Sequence, residues 1–435
     1  MTTAAQNFTG PGITHRGGDT GARSEPGPAG KSSMETPRRL WIVLGVMVLT
    51  LLGTGAMCAS TLAARQSAEN RAVNSAALLA NVDELYHSLA DADATAATAL
   101  LAGQVPPARF TDQYAKDVTQ ATNALAQASR DLAGDDGASK QLGAVASQLP
   151  AYTGLIATAQ ANNRLGYPVA GAYLREASSL LRGPMLREVA MVAQDESAAQ
   201  TSAQNDVASA PVLLIVVVLI ALIVLFFAGR SLSRTTRRTV NLGAAVGVLI
   251  AFVLVVWSLA ATLGAAGASH RAQTDFTVFS ANLSDRNQIA LAQSYQSLTL
   301  IDRGEDGGTD DAGRKAALRQ VSDQSGDKTA QNLLAAMKGR MSSVANDVTQ
   351  GDLHHAIDLD VGQGDAANAS TVTAAASSLD AELAARYKTD HSAYVSDSGS
   401  AGSALGGGLW IGVILGVLAA AAAAYGVNRR LAEYR

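Results

Sequence analysis

Residues 212–227 read VLLIVVVLIALIVLFF, sixteen apolar side chains in a row, and the chain around them has to be read outward from that run. A helix rises about 1.5 Å per residue, so an apolar stretch of ~20 residues crosses the ~30 Å hydrocarbon core of a bilayer. Three further windows, 40–59, 240–263 and 409–427, are also free of Asp, Glu, Lys and Arg. The last is Ala-rich and less apolar, but Trp410 and Tyr425 bracket it as interfacial aromatics do. Arg38 and Arg39 before the first window, and small residues around Cys58, Ala59 and Ser60 after it, also suit a cleaved export signal. Its length exceeds an ordinary signal core, and a fourth span balances the other three, so the reading taken is a retained anchor. Gly55, Ala56 and Met57 make a poor lipidation context for Cys58. As the one cysteine of the 435 residues, Cys58 also excludes an intramolecular disulfide.

Basic residues set the orientation. Lys31, Arg38 and Arg39 precede the first span, Arg230, Arg234, Arg237 and Arg238 fill the turn between the second and third, and Arg429, Arg430 and Arg435 follow the fourth. All fall on one side of a four-span chain, which the positive-inside rule makes cytoplasmic. The two long segments between spans carry ten Lys/Arg against fifteen Asp/Glu and eleven against eighteen. That acidity follows from topology alone. The expected organisation is a disordered cytoplasmic tail (1–37, rich in Gly, Ser, Thr and Pro), a span at 38–60, an outer segment at 61–210 and a span at 211–229. A basic cytoplasmic turn (230–239), a span at 240–263, an outer segment at 264–408, a span at 409–427 and a basic tail (428–435) complete it.

Both outer segments read as helical. Leu78, Val82, Leu85, Leu89, Ala92 and Ala96 step by fours and threes, and after Gly103 and Pro106-Pro107 a second stripe runs Phe110, Tyr114, Val118, Ala121, Leu125, Ala128, Leu132. Gly134-Asp-Asp-Gly137 turns the chain, Leu142, Val145, Leu149, Tyr152 and Ile156 follow across Pro150, and a fourth helix starts after Pro168 with a break near Gly183-Pro184. The second segment repeats the plan less cleanly from Phe276 to Ile301, with later helices near 333–348, 353–359 and 372–394. At an offset of 201, Ala80-Asn81 aligns with Ala281-Asn282 and Gly103 with Gly304. The fold class expected is all-α: four transmembrane helices carrying two extracytoplasmic antiparallel helical bundles, a tandem parallel repeat of span, bundle, span.

Chemistry is sparse. His354-His355 with Asp352, Asp358 and Asp360 is the densest metal-like cluster, but adjacent helical residues point about 100° apart, and a solvated face is the default. Asp302 to Gly307 lacks the Glu that completes a calcium loop and reads as a polar turn. No phosphate loop, nucleophile triad or basic aromatic patch for nucleic acid is present, and the spans hold no ionisable residue for an ion path. The expectation is therefore a non-enzyme without cofactor or metal. Asp91 and Asp93, beside the apolar stripe, suggest packing or partner contacts, with Arg109, Arg164 and Arg175 within the same segment as counter-charges. The Tyr167 to Glu176 stretch, with Tyr173, is a further contact candidate, and Arg234, Arg237 and Arg238 are candidates on the cytoplasmic side.

Three stretches, ANVDELYHSLADADATAATALLAG (80–103), NNRLGYPVAGAYLREA (162–177) and SLTLIDRG (297–304), resemble actinobacterial four-span membrane proteins of the GlnX type. The resemblance covers nearly the whole chain after the tail and rests on no catalytic signature. It implies a link between a glutamine-type solute-binding lipoprotein outside and the serine/threonine protein kinase G inside, relaying amino-acid availability. No ligand residues carry over with it. Without a cytoplasmic domain, any output has to pass to another protein. The expected function is thus a signal-transducing membrane adaptor. The alternatives are an envelope scaffold that oligomerises through its outer segments, or a direct small-molecule sensor.

Overall fold

A computed structural model describes residues 35–132, 136–208, 212–236, 242–303, 308–321, 328–362 and 370–432. The expected disorder of the tail up to residue 34 lies outside the described residues, as do Arg237, Arg238 and the part of the expected polar turn at 304–307. Every element among the described residues is helical, and none is a strand.

Two very long helices organise the molecule. Helix α1 runs Glu35–Leu101 and α7 runs Leu242–Ile301, without a break between the apolar part and the polar part of either. At ~1.5 Å per residue they are roughly 100 and 90 Å long. Between them α2 (Ala108–Asp131), α3 (Asp136–Arg164), α4 (Val169–Leu180), α5 (Leu186–Ala208) and α6 (Val212–Thr236) follow α1. After α7 come α8 (Thr309–Gln320), α9 (Lys328–Gln350), α10 (Leu353–Val361), α11 (Val372–Leu405) and α12 (Gly408–Ala432).

The ends of these helices fall where backbone chemistry puts them. Gly103 ends α1 with φ of 106°, a conformation a side chain would strain, and Pro107 starts α2. Helix α3 runs through Pro150 without ending. At Gly183-Pro184 the break takes the form of a π turn, Leu181–Met185, between α4 and α5. Pro184 donates no hydrogen bond and its ring excludes the usual carbonyl, so a wider turn carries the chain past it.

Away from the apolar ends, one core gathers Val82, Leu85 and Leu89 of α1 with Leu142, Val145, Tyr152 and Ile156 of α3 and Leu174 of α4. Ala290 and Leu298 of α7 enter that same core. A second core joins Ile289 and Leu300 of α7 to Met337, Met341 and Val344 of α9 and to Val372 and Leu379 of α11, and Leu101 of α1 packs on it. The two cores therefore meet along a seam between α1 and α7. Lower down, Phe276 and Phe279 meet Tyr387, His391 and Tyr394 edge-on or tilted, while Tyr387 and His391 stack on each other, ring centroids 5.0–6.0 Å apart.

Below this stem the surface turns apolar. Leu49, Ile220, Phe226, Phe227, Leu249 and Phe252 face outward, a collar that suits lipid and not water. Among the described residues, three helical runs are long and apolar enough to cross a membrane: Trp41–Leu101, Ala245–Ile301 and Val372–Gly426, the last spanning α11 and α12. The described apolar part of α6, Ile215–Ala228, is shorter. Inside the collar α1 and α12 touch backbone to backbone, since a Cβ built on Gly55 would lie 2.8 Å from the Cα of Gly416.

Candidate functional site

A cleft of about 410 Å³ opens where α1, α2, α7 and α11 converge. Helix α1 supplies His87, Asp91, Thr95 and Thr98, whose spacing of four, four and three places them on one face. Helix α2 returns antiparallel and supplies Arg109, Gln113 and Lys116 by the same rule; α7 adds Arg286 and α11 adds Asp380. The Arg109 guanidinium lies over the Phe110 ring at 4.4 Å.

The innermost charges pair with each other. Arg286 Nε donates to Asp380 Oδ1 at 2.7 Å and its Nη2 to Oδ2 at 3.3 Å. Arg286 Nη2 also stands 2.9 Å from His87 Nε2. A guanidinium only donates, so His87 Nε2 accepts and the ring proton sits on Nδ1. That Nδ1 is buried and makes no hydrogen bond among the described residues. Burial and the nearby Arg286 charge push the His87 pKa down to about 4, so the imidazole is neutral. Burial raises the Asp380 pKa, but His87 and Arg286 outweigh it and hold the carboxyl below its ordinary value. With His87 neutral, Arg286 is the charge that does this. Asp91 lies half-buried, and burial together with Asp380 pushes its pKa up to about 6.

Three more carboxyls stand behind the cleft, all buried. Asp93 accepts from Ser178 Oγ of α4 at 2.7 Å and from Ser294 Oγ of α7 at 2.6 Å, so one side chain ties three helices. Asp117 accepts from Gln113 Nε2 at 2.7 Å and Thr95 Oγ1 at 3.3 Å; burial and Asp91 push its pKa up to about 8. Asp360 accepts from Ser297 Oγ at 3.3 Å, and burial lifts its pKa to about 7. Ser297 also stands 3.4 Å from Thr98 Oγ1. The α1–α7 pairs are His87–Arg286, Asp93–Ser294 and Thr98–Ser297, separated by 199, 201 and 199 residues. Near-constant separation means the two helices run parallel, with positions about 201 apart at the same height.

Of the residues singled out from the sequence, Asp91 lines the cleft and Asp93 sits behind it. Arg175 goes elsewhere, pairing with Asp302 at the end of α7. Arg164 is exposed at the end of α3, and Tyr173 packs on the first core. Arg234 lies in the last turns of α6, while Arg237 and Arg238 fall outside the described residues. His354 and His355 face different carboxylates, Asp358 at 3.3 Å and Asp347 at 2.9 Å. Sequence reasoning missed His87, Asp117, Arg286 and Asp380. The polar stripe His87, Asp91, Thr95, Thr98 was the available signal, since it runs at helical spacing beside the apolar one.

A family model described as an actinobacterial sensor domain matches residues 67–205. No curated protein and no solved structure matches the chain. The matched stretch runs from the lower part of the α1 stem through most of α5, and so includes the α1 and α2 walls of the cleft but neither α7 nor α11. The match suggests a sensing or signalling role and fits a sensor-type membrane protein.

Proposed function

We propose that the chain is a four-span membrane sensor that couples an extracytoplasmic nutrient signal to a cytoplasmic serine/threonine kinase. In this reading α6 is the fourth span, both termini and the basic turn with Arg234, Arg237 and Arg238 face the cytoplasm, and the chain itself is not an enzyme. The two outer segments form the tandem bundles. A solute-binding lipoprotein presents an amino-acid signal to them, and the kinase reads the basic turn; both partners come from the family resemblance.

One observation carries the proposal most directly. Helices α1 and α7 pass unbroken from their apolar ends to the polar cleft. A shift of one against the other at Asp93–Ser294 or His87–Arg286 therefore moves the membrane end too, because packed helices move as rigid elements between discrete arrangements. The sensor-domain match supports the same reading.

The test is capture of partners from membranes by the intact protein, with and without Arg234→Glu, Arg237→Glu and Arg238→Glu together. A kinase captured by the wild type and lost by the triple variant is the expected result. Failure of the wild type to bring down a cytoplasmic protein, or capture that the triple variant leaves unchanged, refutes the relay.

A further inference from the structure

We propose that a monovalent metal cation binds inside the foot of the stem, where Glu69 of α1, Gln200 and Gln204 of α5 and Ser398 of α11 come together. The site lies apart from the cleft and does not depend on the sensing role.

This layer is polar where its neighbours are not. Below it Leu62, Val207 and Leu405 form an apolar core, and above it Ala76, Phe276 and Phe279 form another. Between the two, Glu69 is 3% exposed, Gln200 0%, Gln204 2% and Ser398 2%. Contacts across the helices place the four side chains together. The Tyr394 hydroxyl donates to the Ala72 carbonyl at 3.2 Å, with Gln200 and Ser398 beside it and Glu69 close enough for its charge to act on it. Arg65 Nη1 donates to the Val207 carbonyl at 2.5 Å across the antiparallel pair of α1 and α5. Glu69, one turn further along α1, therefore comes level with Gln204, about one turn back along α5. A groove of about 520 Å³ between α1 and α11 opens beside Glu69 and Ser398.

The polar atoms of this layer lack partners. Glu69 Oε2, Gln204 Oε1, Ser398 Oγ and both amide atoms of Gln200 are buried and make no hydrogen bond among the described residues. Burial alone pushes the Glu69 pKa up to about 7, with no positive charge among the described residues to pull it back. Buried polar atoms are satisfied as a rule, and a buried carboxylate is paired with a cation or holds a metal ion. The donors select the class of ion. Carboxylate, amide and hydroxyl oxygens are hard ligands and suit no thiophilic metal. One negative charge among neutral oxygens balances a monovalent ion, whereas a protein calcium site draws on several carboxylates. No group of three His, Cys, Asp or Glu gathers here among the described residues. An ion seated in this layer ties α1 and α5 to α11, and so the chain before α6 to the chain after it, just above the apolar collar.

Thermal melts of the full-length protein in nanodiscs of zwitterionic lipid, at pH 8, provide the test. Sodium chloride is to be raised against choline chloride at constant ionic strength, with calcium chloride as a third series. The expected result is a melting midpoint that climbs with sodium to a plateau and stays level in choline, because an ion that binds only the folded state stabilises it by mass action. Glu69→Gln keeps the shape of the side chain without its charge and is expected to abolish the sodium dependence. Gln204→Leu removes one oxygen at similar volume and is expected to need at least tenfold more sodium for the same rise. A wild type that responds alike to sodium and choline overturns the assignment without recourse to any variant. So does a sodium response left unchanged in Glu69→Gln, or calcium acting at tenfold lower concentration than sodium.

Discussion

Asp117→Asn should stabilise the protein at neutral pH and do nothing at acidic pH. The carboxyl is buried, and its pKa is pushed up to about 8 by burial and by Asp91, against an ordinary value near ~3.9. A carboxyl whose folded pKa lies above its unfolded one contributes stability that is fully present below the unfolded value and is lost as pH rises through the folded value. The slope is about 1.4 kcal/mol per pH unit for one group, so between pH 5 and 7.5 the loss is on the order of 3 kcal/mol. Asparagine stays neutral throughout. Its Oδ1 still accepts from Gln113 Nε2, and its Nδ2 donates to the Thr95 hydroxyl as a protonated carboxyl would. For a chain of 435 residues, at about 2.1 cal/mol/K of unfolding entropy per residue, ~3 kcal/mol moves the melting midpoint by roughly 3–4 °C. Thermal melts of both proteins in nanodiscs at pH 5 and 7.5 give the answer. A variant that melts below wild type at pH 7.5, or a gap that does not change with pH, refutes the reasoning.

The wild type should itself melt higher at pH 6 than at pH 8, because Asp360 and Asp91, raised to about 7 and about 6, act with the same sign as Asp117. His87, lowered to about 4, acts oppositely: its contribution is present above ~6.5 and is lost as pH falls toward 4, so the midpoint should fall again on stronger acidification. Gly416→Val should cost about 1–3 kcal/mol and weaken cysteine cross-linking between α1 and α12, since a Cβ there stands 3.0 Å from the Gly55 Cα, whereas Gly45→Val, with nothing within 4 Å, should melt like wild type. Phe279→Ala should cost about 3–5 kcal/mol, read as a fall in melting midpoint, because the ring is fully buried among four aromatic neighbours.

Whatever depends on neighbours along the chain was legible in the order of residues. Uncharged windows marked the apolar parts of α1, α6, α7 and α12, and the steps from Leu78 to Ala96 and from Phe110 to Leu132 marked amphipathic helices, because burial on one face of a helix repeats every three or four residues. Gly103 and Gly183-Pro184 located an ending and a break, since glycine and proline act on their own backbone. Which polar residues come together depends on how the helices pack. Asp91 and Asp93 are two positions apart on α1 and therefore face different ways, one into the cleft and the other toward Ser178 and Ser294. Arg175, close to them in the sequence plan, instead reaches Asp302. Arg286 and Asp380 become a pair across 94 residues, and His87 meets Arg286 across 199. Periodicity says which side of a helix is polar, but the partner on that side is chosen by how the helices pack, and nothing local to α1 encodes that α7 lies beside it.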